Sequence, residues 1–149
     1  MSSIRVLVVE DFEPFRRFVC STVGASSELQ VICEVSGGLE AVQKAKELQP
    51  DLILLDIGLP NLNGIEAARQ IRGLSPQSKI LFVSQESSPD VIEEALSFGA
   101  MGYVIKAHAG SELQVAIEAV RGGRQFVSSG VEFGPSTVFA RDEGAITQP

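Results

Sequence analysis

Five apolar runs, at residues 4–9, 31–36, 52–56, 80–84 and 101–105, alternate with segments of helical periodicity along this chain. They are rich in Val, Ile and Leu, and three are nearly continuous in apolar character, as parallel strands covered on both faces require. Such alternation predicts right-handed βαβ units, and hence an α/β fold: a doubly wound, five-stranded parallel sheet with five helices. The first strand is then central. The loops after strands one, three, four and five share a crevice on the side where open α/β sheets bind their ligands.

The helical segments carry their own signals. Phe15, Phe18, Val19, Thr22 and Val23 follow the spacing of one apolar stripe, with Pro14 near the helix start. Residues 39–48 predict a second helix, with Glu40 and Lys44 paired one turn apart on its wet side. Asn63 and Glu66 predict a capping box opening the third helix. Gly99 ends the fourth, and Gly122 with Gly123 the fifth. From about Arg124 the pattern dissolves through Ser128, Ser129, Gly130, Gly134, Pro135 and Gly144. Residues 124–149 therefore read as a tail or a truncated linker, too short for several packed helices.

Composition narrows the function classes. A net charge of −7 argues against a broad basic face for nucleic acid. Cys20 and Cys33 have neither metal-ligand spacing nor a disulfide framework, and read as buried, reduced thiols. No apolar stretch approaches the roughly 20 residues of a membrane span. The first strand follows Met1–Ser3 directly, leaving no room for a signal peptide, so the expectation is a cytoplasmic protein away from membranes.

Charged and polar residues close the apolar runs. Glu10 and Asp11 follow the first, Asp56 ends the third, Ser84 the fourth, and Lys106 follows the fifth. Carboxylates in the first loop would repel a bare pyrophosphate, so a nucleotide reading fails unless a metal intervenes. Mg²⁺ prefers hard oxygen ligands, usually a few carboxylates plus water and phosphate oxygens. Asp11 and Asp56 as direct ligands, with Glu10 acting directly or through water, meet that demand, with Mn²⁺ an alternative ion. Asp56 can also act as a nucleophile, since carboxylates form acyl phosphates. Lys106 supplies a cation for the transferred phosphoryl, and Ser84 a hydroxyl.

Glu10-Asp11, the stretch Asp56-Ile57-Gly58-Leu59-Pro60-Asn61-Leu62-Asn63-Gly64, Ser84, and Gly102-Tyr103-Val104-Ile105-Lys106 together resemble the receiver domain of bacterial response regulators. The resemblance covers about residues 4–122 and assigns residues 1–123 to a receiver. Residues 110–128 are similar to receivers that precede a helix-turn-helix domain, of the LuxR/FixJ type. The resemblance implies Asp56 as phospho-acceptor in a two-component phosphorelay, taking a phosphoryl group from a sensor histidine kinase, a phosphotransfer protein or a small phosphodonor. It implies metal ligation by Glu10, Asp11, Asp56 and the Gly58 backbone carbonyl, and phosphoryl binding by Ser84 and Lys106. Ser84 and Tyr103 become the switch pair, remodelling a surface that meets a downstream protein partner or forms a homodimer. This is a switch, not a turnover enzyme, and the chain itself contacts no nucleic acid.

Two positions depart from the family pattern. Gln85 stands where receivers usually have a small residue, and its long side chain is expected to modulate phosphorylation or dephosphorylation rates. Ala107 replaces a proline that often follows a cis bond; cis bonds to alanine cost about 2.5–4 kcal/mol, so a trans peptide and a reshaped loop are expected. His108, the sole histidine, reads as a loop residue at the rim of the site. Three other readings compete: the receiver portion of a longer DNA-binding regulator, an aspartyl-phosphate hydrolase using Asp11-Phe12-Glu13, and an unphosphorylated pseudo-receiver that only binds. The expectation leans to a stand-alone receiver.

Overall fold

A computed structural model describes residues 3–131. Strands β1 (Ile4–Val9), β2 (Leu29–Val35), β3 (Leu52–Leu55), β4 (Lys79–Ser84), β5 (Gly102–Ile105) and β6 (Phe126–Val127) form one sheet in the order β2-β1-β3-β4-β5-β6. Every pairing is parallel. Helices α1 (Glu13–Gly24), α2 (Gly38–Leu48), α3 (Gly64–Leu74), α4 (Pro89–Ser97) and α5 (Ala109–Arg121) make the crossovers.

Both faces of the sheet are buried, and the period of two along each strand sorts its residues between them. Leu7 and Val9, Ile53 and Leu55, Ile80 and Phe82, and Tyr103 and Ile105 face α2, α3 and α4. Their alternates Val6, Val8, Leu52, Leu54, Leu81, Val83 and Val104 pack with Val19 and Val23 of α1 and with Leu113, Ile117 and Val120 of α5. This explains why the runs read as continuously apolar. The parallel pairing turns every carboxyl strand end to the same edge.

The parallel sheet is as expected, with one strand more: beyond Gly123, Phe126–Val127 pairs in parallel with β5. Two residues among glycines and serines are too few for any periodicity to reveal. The remainder of the expected tail, including Gly134, Pro135 and Gly144, lies outside the described residues.

Smaller corrections follow from packing. Phe18 is 37% exposed, off the buried stripe, although its ring meets Phe15 at 5.5 Å. Lys44 pairs with Glu47 at 3.3 Å rather than with Glu40. The capping box is half made: Asn63 Oδ1 accepts from the Glu66 amide at 2.9 Å, while the Glu66 carboxylate turns to Arg69 and Gln70. Cys20 and Cys33 are free thiols, but half-buried rather than enclosed. No helix among the described residues is long and apolar enough to cross a membrane.

Candidate functional site

The crevice at the carboxyl strand ends holds a cavity of about 530 Å³, lined by residues that include Asp11, Phe15, Asp56, Gly58, Ser84, Gln85 and Lys106. Topology makes it. Because β1 is flanked by β2 on one side and β3 on the other, the chain reverses direction there and the loops after β1 and β3 part around an opening.

The β1 end supplies the acids. Glu10 is only 2% exposed, and its Oε2 accepts from the Phe12 amide at 3.0 Å. The Arg16 guanidinium donates to the Glu10 carbonyl at 2.9 Å, fixing the backbone below. Burial pushes the Glu10 carboxyl above its ordinary value, against the pull of Lys106 and the Phe12 amide. Asp11, next along, is exposed and reaches into the cavity.

The β3 end supplies Asp56, 5% exposed. Its Oδ1 accepts from the Ile57 amide at 2.7 Å, and its Oδ2 faces Lys106. The following loop folds back tightly: the Gly64 amide donates to the Ile57 carbonyl at 2.7 Å. A side chain on Gly64 would collide with the Asp56 carbonyl, so glycine is what lets α3 start against the site.

Lys106 follows β5 and opens a 3-10 turn at Lys106–His108. The peptide to Ala107 is trans, as expected, and the lysine reaches the site nonetheless. Its Nζ lies 2.9 Å from Glu10 Oε1, 3.2 Å from Asp56 Oδ2, and 4.8 Å from the centre of the Phe15 ring. Burial works against the ammonium, but the two carboxylates outweigh it and hold its pKa above the ordinary lysine value. The Phe15 contact carries no sequence signal; it depends on how α1 sits over the β5 end.

Ser84 and Tyr103 meet through the backbone of one residue, Glu86. The buried Ser84 Oγ accepts from the Glu86 amide at 3.2 Å, and the Tyr103 hydroxyl donates to the Glu86 carbonyl at 2.9 Å. Tyr103 is fully enclosed, and burial pushes its hydroxyl up to about 12, the nearby Ser84 hydroxyl pulling the other way. Gln85 is exposed on the cavity wall. His108 sits in the turn beyond Lys106, where its Nδ1 is buried without a hydrogen-bond partner, 3.8 Å from Glu112 Oε1.

Carboxylate oxygens of Glu10, Asp11 and Asp56 lie within 4.8 Å of one another. Three hard anionic donors that close, with one lysine among them, are a donor set suited to a divalent cation such as Mg²⁺. Without a cation they repel one another. The arrangement can therefore bind a cation and, beside it, an anion that Lys106 and Ser84 would contact.

Comparison with known proteins agrees with this geometry. The response regulator receiver domain model matches residues 6–118. The chain is 33% identical over 126 residues to the DNA-binding transcriptional activator DevR/DosR of Mycobacterium tuberculosis, covering 85% of this chain and 58% of that protein. It is 34% identical over 120 residues to the transcriptional regulatory protein LnrK of Bacillus subtilis, covering 80% and 54%. A LuxR-family two-component response regulator from Aurantimonas superposes with a TM-score of 0.82 at 31% identity, covering 87% of this chain and 93% of that one. The chain thus spans little more than half the length of these two sequence relatives.

Proposed function

This chain belongs to the response regulator receiver domain family of two-component signalling, and from that premise we propose that Asp56 is its phospho-acceptor. A carboxylate oxygen of Asp56 attacks phosphorus, the bond from phosphorus to the donor's nitrogen or oxygen breaks, and the leaving group takes up a proton. The observation that carries this reading is the place of Lys106. Its ammonium contacts both Glu10 and Asp56, so it stands where negative charge gathers as the phosphoryl arrives.

Glu10, Asp11, Asp56 and the Gly58 carbonyl would hold Mg²⁺, or Mn²⁺ in its place. When bound, the ion neutralises phosphoryl oxygens and the crowded carboxylates alike. Ser84 then takes a phosphoryl oxygen. To do so its Oγ leaves the Glu86 amide, which loosens the residue whose carbonyl also anchors the Tyr103 hydroxyl. The phosphate's charge is thereby read out on α4, β5 and α5, a bistable element biased by a local anion. Gln85 on the cavity wall would restrain the approach of donor or of attacking water. Such a domain is a switch that accepts one phosphoryl group per cycle, not an enzyme of many turnovers.

The donor in this reading is a sensor histidine kinase or a phosphotransfer protein in the cytoplasm. The output is a protein contact, a homodimer included. A second reading, the receiver of a longer DNA-binding regulator, is favoured by the description of DevR/DosR and by the greater length of that protein. Mass spectrometry after treatment with acetyl phosphate and Mg²⁺ tests the central claim. The native chain gains one labile phosphate and Asp56→Asn gains none; an Asp56→Asn chain that still gains it refutes the assignment. In the same assay Gln85→Ala alters the rate of gain or loss, and unchanged rates would remove Gln85 from the account.

A further inference from the structure

The segment after α5 does more than extend the sheet. The Phe126 amide donates to the Met101 carbonyl at 3.1 Å, and the Ser128 amide to the Tyr103 carbonyl at 2.9 Å. At the next step along β5 the backbone ladder is replaced by a side chain: the Ile105 amide donates to Ser128 Oγ at 2.8 Å. That hydroxyl in turn donates to Glu112 Oε1 at 2.6 Å, and Ser129 donates to Glu112 Oε2 through both its amide (3.1 Å) and its hydroxyl (2.8 Å). Ser128 is 3% exposed.

Glu112 belongs to the first turn of α5, and Ile105 immediately precedes Lys106. The elbow that carries the lysine is therefore clamped at both ends by one buried hydroxyl. Burial alone would raise the Glu112 carboxyl; the donors of Ser128 and Ser129, with His108 beyond them, hold it below its ordinary value. It is an ionised acceptor, and bonds to ionised acceptors are the stronger kind.

We infer that Ser128 and Glu112 are positioning residues for Lys106: they hold the elbow from β5 to α5 so that the ammonium stays beside Asp56, and they tie the chain leaving the domain to its phosphorylation site. Nothing in the clamp touches the phosphoryl position, so its effect runs entirely through the lysine's backbone. A side chain displaced by a fraction of an ångström reaches its target in the wrong direction, and such errors lower the rate of a positioned reaction more than they lower binding.

The inference rests on Asp56 and Lys106 being the phosphoryl site, so its test has two arms. In the first, amide hydrogen exchange across residues 105–108 is compared in the full chain and in Ser128→Ala, Ser128→Thr and Glu112→Ala, with no phosphodonor. Ser128→Ala exchanges faster there and Ser128→Thr, which keeps the hydroxyl, returns to the native pattern. In the second, the rate of phosphate gain is measured against acetyl phosphate concentration. Ser128→Ala lowers the saturated rate by about tenfold with little change in the half-saturating concentration, and Ser128→Thr restores it. Faster exchange in Ser128→Ala at an undiminished saturated rate overturns the inference, as does native exchange in that variant. Should the native chain take up no phosphate, the proposed function fails, and the exchange arm alone decides for or against the clamp. Should Ser128→Ala not fold, Glu112→Ala, which removes both acceptor oxygens of the clamp, carries both comparisons, with the same outcomes.

Discussion

At the amino ends of the strands, Asp51 Oδ2 accepts from the Arg5 amide at 2.8 Å, the Arg5 guanidinium donates to the Gln49 carbonyl, and the Lys79 ammonium to the Arg121 carbonyl. At the carboxyl ends, three carboxylates gather around one lysine. The same sheet serves both, yet charge is treated oppositely. Below, each of these three side chains has a backbone partner. Above, anions exceed cations, and two of the acids are almost wholly buried. Structural need explains the first arrangement. The second crowds like charges together and suits a site that holds a divalent cation.

If that contrast is right, the largest separation between the two ends comes from removing their cations and anions in turn. Lys106→Ala slows phosphate gain from acetyl phosphate by about 10²-fold, the usual penalty for losing a preorganised group at developing charge. Asp51→Ala removes the acceptor of the Arg5 amide at an exposed position and destabilises the fold by about 0.5–1.5 kcal/mol in urea unfolding. It leaves the rate untouched. A slow Asp51→Ala or a fast Lys106→Ala would dissolve the distinction.

The next effect in size concerns the cation these acids would hold. Mg²⁺ at a hundred times its dissociation constant adds about 2.7 kcal/mol to the stability of a protein that binds it only when folded. Asp11 is exposed, and surface changes of this kind stay within about 0.5 kcal/mol. Asp11→Asn therefore leaves metal-free stability nearly unchanged while abolishing the rise of Tm with Mg²⁺. An unaltered Mg²⁺ response in that variant removes Asp11 from the cation site.

The two ends also differ in how far they can be read without a structure. The upper site is legible because each of its residues closes an apolar run, and parallel strands bring such closures to one edge whatever their distance in sequence. Asp11, Asp56 and Lys106 are found that way, and so is Ser84. What sequence reasoning misses depends on side-chain direction. The Phe15 ring against Lys106 and the Arg16 guanidinium on the Glu10 carbonyl follow from the seating of α1, which no periodicity states. Phe18 obeys the apolar spacing and still leaves more than a third of its surface exposed. The β6 strand and the Ser128–Glu112 contact escape for a different reason. A two-residue strand has no period, and glycine and serine around it argue for a loop.

The smallest effect asks whether burial or attraction governs Glu10. Its carboxyl is raised by burial even with Lys106 alongside, so the folded chain holds that proton more tightly than the unfolded chain does. Stability from this group therefore falls as pH rises from about the ordinary 4.5 through the raised folded value, and at neutral pH the ionised carboxylate is a net burden. Lys106 has the complementary sign: its contribution is fully present below 10.5 and is lost only as pH climbs through its own raised value. Glu10→Gln keeps an acceptor for the Phe12 amide and removes the charge. Measured with a chelator present, its Tm at pH 7 is higher than that of the native chain, and the advantage fades as pH is lowered toward 4.5. If Tm instead falls at pH 7, the ion pair with Lys106 outweighs desolvation, and the upper end stores less strain than its crowded carboxylates imply.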